Sequence, residues 1–494
     1  MRRAALALVC VLCGTARAQT PDPAPAPVEW LAREPAGLLP LGDENTLTVR
    51  GIAGAIELRT ADALELRWSS ASVKGSSQLP LEVGTAEEGL VLRAPEGDTA
   101  ARRVVIVVPA RVAVRVEGDG TQVVGDNVQS DLSITGPATD VRFSTQAGAI
   151  EIDVQGEVLL DRPKGQVVLR GKPQTARVLQ AAGPVTVLLG GGTLEVSDAM
   201  SSLDVDTQGT KMVLARTQVP VRVHARGGEV RAEDLAAGGD FELEGAPLTL
   251  NQVNGEVTVT SDALVEFHAS KAALHIHGLN APVKGTDHHG LVEIETDSAE
   301  VLLSKIDGPL RIRGNSLTLR LEQTTDTGLI TSSSSIQANG VDGLLAIENE
   351  LGSVEVQGAT GKVEVKNRDG NVTLLGLSGP AVVETSSERL VVSWVSLPRD
   401  AAVESVLLND DGVVHAELPP SGSILLNAES RYGRVESSLP WVRVADDGKS
   451  AKGMVGRGEV PRLRIVGEGG VVLGGPGSGA APTGDRGDPG GGQP

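Results

Sequence analysis

Residues 343–396 read GLLAIENEL GSVEVQGAT GKVEVKNRD GNVTLLGLS GPAVVETSS ERLVVSWVS when they are written in units of nine. Glycine opens the first five units, and an aliphatic residue fills the third and fifth positions of all six. Apolar residues two apart, with a variable residue between them, are typical of a strand that buries one face. Repetition at a fixed spacing predicts that each unit is one strand followed by one turn, stacked on its neighbours.

The same pattern extends towards the N-terminus. Residues 290–325 read GLVEIETDS AEVLLSKID GPLRIRGNS LTLRLEQTT, which is a second run of units of nine. Further upstream, glycine-led strands begin at Gly148, Gly165 and Gly183, which are 17 and 18 residues apart, or close to two units. Shorter alternating segments start near Asn45. These segments together predict one β-repeat domain over residues 43–473.

The predicted fold class is all-β, with almost no helix beyond the N-terminal leader, because no stretch shows a capped 3.6-residue period. Four-residue corners that keep the same face inward favour a parallel β-solenoid, or β-helix, of short stacked strands with roughly 18 to 27 residues per turn. Antiparallel stacked sheets joined by Asp-Gly turns are the alternative. A narrow interior filled by small aliphatic residues also agrees with an aromatic content of only 2%.

The N-terminal leader has the features of an export signal. Arg2 and Arg3 precede an apolar run, and residues 16–18 read ARA, so we expect a signal peptide over residues 1–18 that is cleaved after Ala18. Cys10 and Cys13 are the only two cysteines in the chain. Cleavage would remove both, leaving a mature chain without disulfides or thiolate metal sites.

Two further segments differ in composition from the repeat. Residues 19–42 begin with QTPDPAPAP and are predicted to be a proline-rich linker and docking segment, in which Trp30 and Leu31 cover the first coil. Residues 474–494 are rich in glycine and proline and are predicted to be a disordered tail. An Arg-Gly-Asp triplet at 486–488 is expected from that composition.

The formal net charge of the chain is −20 at pH 7. Removal of the leader takes away three arginines and makes the charge −23. This balance argues against nucleic acid as a partner and disfavours adsorption to anionic lipid. Beyond the leader, no apolar run reaches the roughly 18 residues that a membrane-spanning helix needs.

The C-terminal part of the repeat carries a family resemblance. Residues 425–440 (LLNAESRYGRVESSLP), 453–458 (GMVGRG) and 460–473 (VPRLRIVGEGGVVL) follow the glycine-led units. Together they resemble the bacterial adhesin-type domain-of-unknown-function family, the toast-rack β-solenoids. The resemblance covers roughly residues 43–473 and implies a stacked β fold that is exported or faces the envelope. That family has no established catalytic residues, so it implies none here.

Histidine clustering is the strongest chemical lead. Five of the seven histidines lie within 22 residues: His268, His275, His277, His288 and His289. His275 and His277 flank Ile276, so both rings should leave the same outer face of a strand. Asp287, His288 and His289 should occupy the turn before Gly290. Imidazoles with a carboxylate are ligands of Zn²⁺ or a similar ion, so His275, His277, Asp287, His288 and His289 form a hypothetical metal site. Solvated histidines are the alternative.

Other chemistry is disfavoured by the sequence. The units of nine lack the doubled glycines and the aspartate of calcium-binding β-rolls. A sugar-active β-helix would need opposed carboxylates and aromatic platforms, and the chain has only eight aromatic residues. Glu355 and Glu364 are expected to face outward as solvated residues. Glu117, Asp119 and Asp126 around an acidic turn could hold one cation, but a simple hairpin-like turn explains them. We therefore predict no catalytic residue and no cofactor.

These observations favour an exported, non-enzymatic β-solenoid, an adhesin-like binding or structural protein of the cell envelope or surface. Its expected partner is a protein or glycan of the envelope or extracellular matrix. The expected location is the periplasm, the cell surface or the medium. The alternative is a periplasmic envelope-stress or assembly factor that binds one protein partner. A polysaccharide-active β-helix enzyme is less favoured.

Overall fold

The structure is a computed structural model that describes residues 28–41, 45–62, 64–400 and 402–476, and this part of the chain forms strands and turns without helix. The N-terminal end contains β1 (Glu29–Glu34), β2 (Ala36–Pro40), β3 (Thr46–Arg50), β4 (Gly54–Ala61), β5 (Glu65–Ser72), β6 (Leu81–Ala86), β7 (Gly89–Arg93) and β8 (Arg102–Pro109).

The coils that follow contain β9 (Ala113–Glu117), β10 (Thr121–Asp126), β11 (Leu132–Gly136), β12 (Asp140–Ser144), β13 (Ile150–Val154), β14 (Glu157–Asp161), β15 (Val167–Gly171), β16 (Thr175–Leu179), β17 (Val185–Leu189), β18 (Thr193–Ser197), β19 (Leu203–Ala215), β20 (Val221–Glu233), β21 (Gly239–Glu244), β22 (Leu248–Asn251), β23 (Val257–Ser261), β24 (Val265–His268), β25 (Leu274–Gly278), β26 (Val283–His289), β27 (Val292–Glu295), β28 (Glu300–Asn315), β29 (Thr318–Ser332), β30 (Ser335–Asn339), β31 (Asp342–Leu351), β32 (Val354–Gln357), β33 (Val363–Asp369), β34 (Val372–Leu377), β35 (Ala381–Thr385), β36 (Arg389–Trp394), β37 (Glu404–Asn409) and β38 (Val413–Glu417). The C-terminal end contains β39 (Ile424–Ser430), β40 (Val435–Ser437), β41 (Val442–Val444), β42 (Ser450–Val455), β43 (Arg462–Gly467) and β44 (Gly470–Gly474).

Strand pairing shows that one coil consists of two units of nine. Val354 on β32 lies beside Val372 on β34, and the pairing is parallel. Val363 on β33 lies beside Ala381 on β35, also in parallel. The strands therefore form two stacks, which we call the front sheet (β9, β11, β13 and onward to β33, β35 and β37) and the back sheet (β10, β12, β14 and onward to β34, β36 and β38). The long strands β19, β20, β28 and β29 continue through a corner and belong to both sheets.

This pairing confirms the predicted parallel β-solenoid, and the antiparallel stacked-sheet alternative is wrong for the coils. The step from coil to coil is 17 or 18 residues over most of the array, at the short end of the predicted range. The solenoid has about 16 turns. A coil this short has room for two strands and two corners only.

The interior is built by the third and fifth positions of the units of nine, as the sequence predicts. Leu345 and Ile347 on β31 are buried, and so are Val363 and Val365 on the coil stacked against it. Residues between them, such as Glu364, face solvent or the sheet surface. Full burial of an aliphatic side chain contributes about 1.5–3 kcal/mol, so these columns are the main source of stability.

The corner that leads from the back sheet to the front sheet has a repeated backbone conformation. A residue with positive φ occurs there in successive coils: Asn127, Thr145, Arg162, Gln180, Asp198, Arg216, Asp234, Gln252, Ala269, Asp287, Lys305, Gln323, Gly340, Gly358 and Gly376. Most are not glycine, although the left-handed region costs other residues roughly 1–2 kcal/mol. Ladder hydrogen bonds hold the conformation, for example from Arg162 N–H to the Leu179 carbonyl at 2.8 Å. The next residue then points inward, as Leu235 and Ile306 do.

The N-terminal end departs from simple coiling. The pair β3 and β4 lies between the pair β7 and β8 on one side and the pair β9 and β10 on the other. Outside them, β5 and β6 add antiparallel strands, and β1 and β2 pair antiparallel with β6 and β5. Residues 29–40 therefore extend the two sheets, and Trp30 and Leu31 at their edge are 38% and 49% exposed. The apolar run on β8 is not buried on both faces, because Val105 and Val107 are partly exposed.

The C-terminal end uses the same device. The last pair of strands, β43 and β44, is inserted between β37 and β38 on one side and β39 and β40 on the other. The last strands of the array are thus hydrogen-bonded on both edges and are protected from fraying. The outermost strands, β40 and β41, have only three residues each. Short edge strands offer little template for aggregation.

The predicted signal peptide (1–18), residues 19–27 of the predicted linker, and most of the predicted tail, 477–494, lie outside the described residues. Within the part that the structure describes, no helix is long and apolar enough to cross a membrane.

Candidate functional site in the histidine region

His275 stands on the outer surface of the front sheet, in a column of charged side chains. Its neighbour Ile276 is buried, so the alternation of β25 places His275 and His277 on the same outer face, as predicted. Nδ1 of His275 lies 3.0 Å from a carboxylate oxygen of Glu293, one coil further on. Glu293 in turn accepts a hydrogen bond of 2.8 Å from Arg311 on the following coil.

Glu293 has His275 one coil before it and Arg311 one coil after it, and both affect its carboxyl group. The Arg311 guanidinium, and to a lesser extent His275, hold the pKa of the Glu293 carboxyl below its ordinary value. A second carboxylate, that of Glu256, lies 3.7 Å from Nε2 of His275. Both ring nitrogens of His275 thus face acidic groups. Such a column is a network of polar contacts in which Glu293 is already shared between two partners.

His277 begins a parallel column on the same face. Its Nδ1 lies 3.4 Å from a carboxylate oxygen of Glu295, and both side chains are exposed. Arg313 follows on the next coil, beside Glu295. The two columns make a small surface of paired rows, His–Glu–Arg, in register with the strands. Screening by solvent makes each such pair worth about 0–1 kcal/mol.

Asp287 and His289 lie at the corner between the back and front sheets, away from the face that carries His275. Asp287 occupies the corner position with positive φ, and its carboxylate is 3.5 Å from Nζ of Lys305. Nδ1 of His289 is 3.1 Å from a carboxylate oxygen of Asp307. Each of the two residues is therefore paired with an oppositely charged or polar group on the next coil.

His288 points into the core and is fully buried. It occupies the inward corner position that Ser270 fills on the preceding coil and Ile306 fills on the following one. Its ring meets Phe267 edge to face, with the ring centroids 5.5 Å apart. Neither ring nitrogen makes a hydrogen bond of normal geometry. Burial lowers the pKa of His288, and the nearby backbone of Ala272 and Leu291 opposes that shift only in part.

The five residues of the hypothetical metal site are thus not brought together. His275 and His277 face outward from the front sheet, Asp287 and His289 pair along the corner, and His288 is inside. Among the described residues, no group of three or more histidine, cysteine or acidic side chains is arranged to hold a metal ion. The separation arises because residues 278–289 pass through one corner, the back sheet and the next corner.

The two outward glutamates considered in the sequence lie far apart. Glu355 belongs to β32 in the back sheet, and Glu364 belongs to β33 in the front sheet. They therefore project from opposite faces of the coil and do not oppose each other across a groove. The acidic turn at Glu117 and Asp119 lines a recess near the N-terminal end together with Asp98, whose carboxylate is 2.7 Å from the buried guanidinium of Arg102.

A column of buried polar residues escaped the sequence reasoning. Thr331, Asn349, Asn367 and Thr385 follow one another inside the corner after the front sheet, and all four are buried. In the sequence, these residues appear as a polar residue at the seventh position of every second unit of nine. This pattern indicates a stacked column only once one coil is known to contain two units.

No protein-family model matches the chain, and the comparisons with curated proteins and with solved structures also find no match. The resemblance to the adhesin-type family therefore stays a prediction.

Proposed function

We propose that the chain is an exported, non-enzymatic β-solenoid that acts as an adhesin-like binding or structural protein of the cell envelope or surface. The observation that carries this proposal is the uninterrupted parallel stack from β9 to β38, with buried aliphatic columns inside and polar rows outside. With about 16 coils spaced about 4.8 Å apart, the stack is about 75 Å long. Two long faces of this kind suit contact with an extended partner, such as a protein or glycan.

The outer rows supply the polar contacts for such a partner. Charged residues recur in register with opposite charges one coil away, as Lys211 and Glu229 do at 2.8 Å and Arg177 and Glu195 at 3.1 Å. Because exposed pairs add little to stability, these rows are not needed to hold the fold. They keep both faces hydrophilic. They also present many hydrogen-bond donors and acceptors, spaced by the distance between neighbouring strands.

The leader sequence and the loss of both cysteines on cleavage support export. A mature chain without cysteine folds in an oxidising compartment without disulfide exchange. The stacked aliphatic columns and backbone ladders supply stability in place of disulfides.

Two experiments test the proposal. Fractionation of cells that express the full chain should place it in the periplasm, on the surface or in the medium, and deletion of residues 1–18 should retain it in the cytoplasm. The purified mature chain should then bind isolated envelope glycans or matrix proteins. Glu293→Lys on the front sheet and Glu355→Lys on the back sheet form a matched pair that reports which face makes the contact.

Three results would contradict the proposed function. Cytoplasmic retention of the intact chain would overturn export. Release of reducing ends or unsaturated products from envelope polysaccharides would show an enzyme. Recovery of one stoichiometric periplasmic protein, without glycan or matrix binding, would favour the assembly-factor alternative.

A further inference from the structure

The C-terminal end of the solenoid has a charge opposite to that of the whole chain. Residues 430–474 contain eight lysines and arginines and five aspartates and glutamates, whereas the full chain has a formal net charge of −20. Two of the eight have partners that the structure identifies: Arg431 pairs with Glu468 at 2.8 Å, and Lys449 donates to the Tyr432 and Gly433 carbonyls. The other six cations are Arg434, Arg443, Lys452, Arg457, Arg462 and Arg464.

Four of these cations lie on the outer surface of the front sheet. Arg464 on β43 is opposite Asn427 on β39, Asn427 is opposite Lys452 on β42, and Lys452 is opposite Arg443 on β41. Residues that are directly opposite in a sheet project from the same side, so these side chains form one row across four adjacent strands. The row spans about 14 Å. Arg462 stands two residues before Arg464 on the same face.

Arg443, Lys452, Arg462 and Arg464 differ from the cations on the coils. All four are exposed, and within the described part of the chain none of them forms an ion pair. On the coils, by contrast, Arg216 makes two hydrogen bonds of 2.9 Å to Asp198. The four cations are therefore available to an external anion.

Exposed apolar side chains lie in the neighbouring row on the same face, the row that also contains Arg462. Leu425 lies beside Arg462 on one side and opposite Met454 on the other. Leu425 is 41% exposed and Met454 is 47% exposed, although Leu425 has a strand partner on both sides. We call Arg443, Lys452, Arg462, Arg464, Leu425 and Met454 the basic patch.

We propose that the basic patch docks the C-terminal end of the solenoid onto an anionic phospholipid surface. Each lysine or arginine near such a surface is worth about 1 kcal/mol, and exposed Leu and Met side chains can enter the boundary between headgroups and acyl chains. Cations alone would suit any polyanion. The exposed aliphatic side chains directly beside the row of cations are what favours a bilayer over a soluble polyanion.

Glu404 lies opposite Arg462 and Glu429 lies on β39 beside the patch, whereas the acidity of the more distant coils does not oppose this docking. Charges separated by more than a Debye length, about 8–10 Å at physiological salt, are largely screened. Coils are about 4.8 Å apart, so charges beyond the second coil from the patch contribute little. The net charge disfavours adsorption along the whole rod, and the basic patch therefore selects one end of it.

Sedimentation of the full chain with lipid vesicles tests the proposal. We expect binding to vesicles of phosphatidylglycerol mixed into phosphatidylcholine, no binding to pure phosphatidylcholine, and loss of binding at high salt. The variant Lys452→Glu/Arg464→Glu should weaken binding by more than about tenfold. Leu425→Ser/Met454→Ser should weaken it while retaining the salt dependence. The control Arg313→Glu/Arg320→Glu reverses two other exposed cations and should bind as the unmodified chain does.

Three results would overturn the proposal: equal binding to the two kinds of vesicle, equal loss of binding in the control variant, and binding to soluble polyphosphate or heparin without binding to vesicles. The last result would identify a soluble polyanion as the ligand. The comparison of lipids and salts with the unmodified chain decides the matter even if a variant fails to fold, which circular dichroism would reveal.

Discussion

Nδ2 of Asn349 donates a hydrogen bond of 3.0 Å to Oδ1 of Asn367, the equivalent residue on the next coil. The same Nδ2 lies within hydrogen-bond distance of the Leu351 carbonyl at 2.9 Å, and Oδ1 of Asn349 accepts from Oγ1 of Thr331 at 2.9 Å. Both amides are buried. The column satisfies polar backbone groups inside a corner and links three successive coils.

Replacement of Asn349 by leucine should therefore destabilise the array despite the similar size of the side chain. The substitution leaves buried polar partners without hydrogen bonds, at about 1–3 kcal/mol for each. We expect a clearly lower urea midpoint of unfolding. Glu348→Ala, one residue earlier but exposed, is the control and should change stability by less than about 0.5 kcal/mol. Equal midpoints for the two variants would show that the column is not structural.

Val363→Asp should disrupt the front sheet locally, because it places an unpaired charge within a buried aliphatic column. We expect a loss of β signal in circular dichroism and new protease cleavage near residue 363. Glu364→Gln on the same strand is the matched control, since its side chain lies on the outer face. Unchanged protease resistance in Val363→Asp would contradict the inward assignment.

Gly285→Ala should be destabilising for a purely steric reason. Phe267 lies on the adjacent coil, and its ring occupies the space that a side chain at Gly285 would need. A Cβ at Gly285 would therefore overlap that ring. Overpacking of this kind costs typically about 1–3 kcal/mol. In a Phe267→Leu background the cost should fall, because the overlapping atom is absent. Gly75→Ala, where a Cβ would meet no atom within 4 Å, is the control. Additive effects of the two substitutions would exclude the contact.

Stability should fall in mildly acidic solution because of His288. Its folded-state pKa lies below the unfolded value of about 6.5, so the unfolded chain binds the extra proton more readily. Protonation of His288 therefore leaves the free energy of unfolding unchanged above about pH 6.5 and lowers it as the pH drops from there through the folded-state pKa. The variant His288→Ile should lose part of this decline in urea titrations at successive pH values. His289→Gln, at the exposed neighbouring position, should keep it.

The sequence predicted the strands well because a strand with one buried face needs only local information. The inward positions, such as Leu345 and Ile347, follow from a period of two and a repeat of nine. The same reasoning placed His275 and His277 correctly on one outer face. It could not place His288. Asp287 has a left-handed backbone conformation, and this conformation turns the next residue, His288, into the core. The alternation of a regular strand does not predict such a change of direction. It also could not bring the five residues of the hypothetical site into one location, since their distances depend on the path of the coil.

The sequence by itself determined that this chain stacks short strands with aliphatic columns inside, because that choice depends on side-chain hydrophobicity at a fixed spacing. Only the tertiary structure decided that two units of nine close one coil, that Asn349 therefore stacks on Asn367, and that the last strands are inserted between earlier ones. It also brought Arg443, Lys452 and Arg464 into one row. These relationships join residues on separate strands, and hydrogen bonding between strands, which local periodicity does not specify, sets their register.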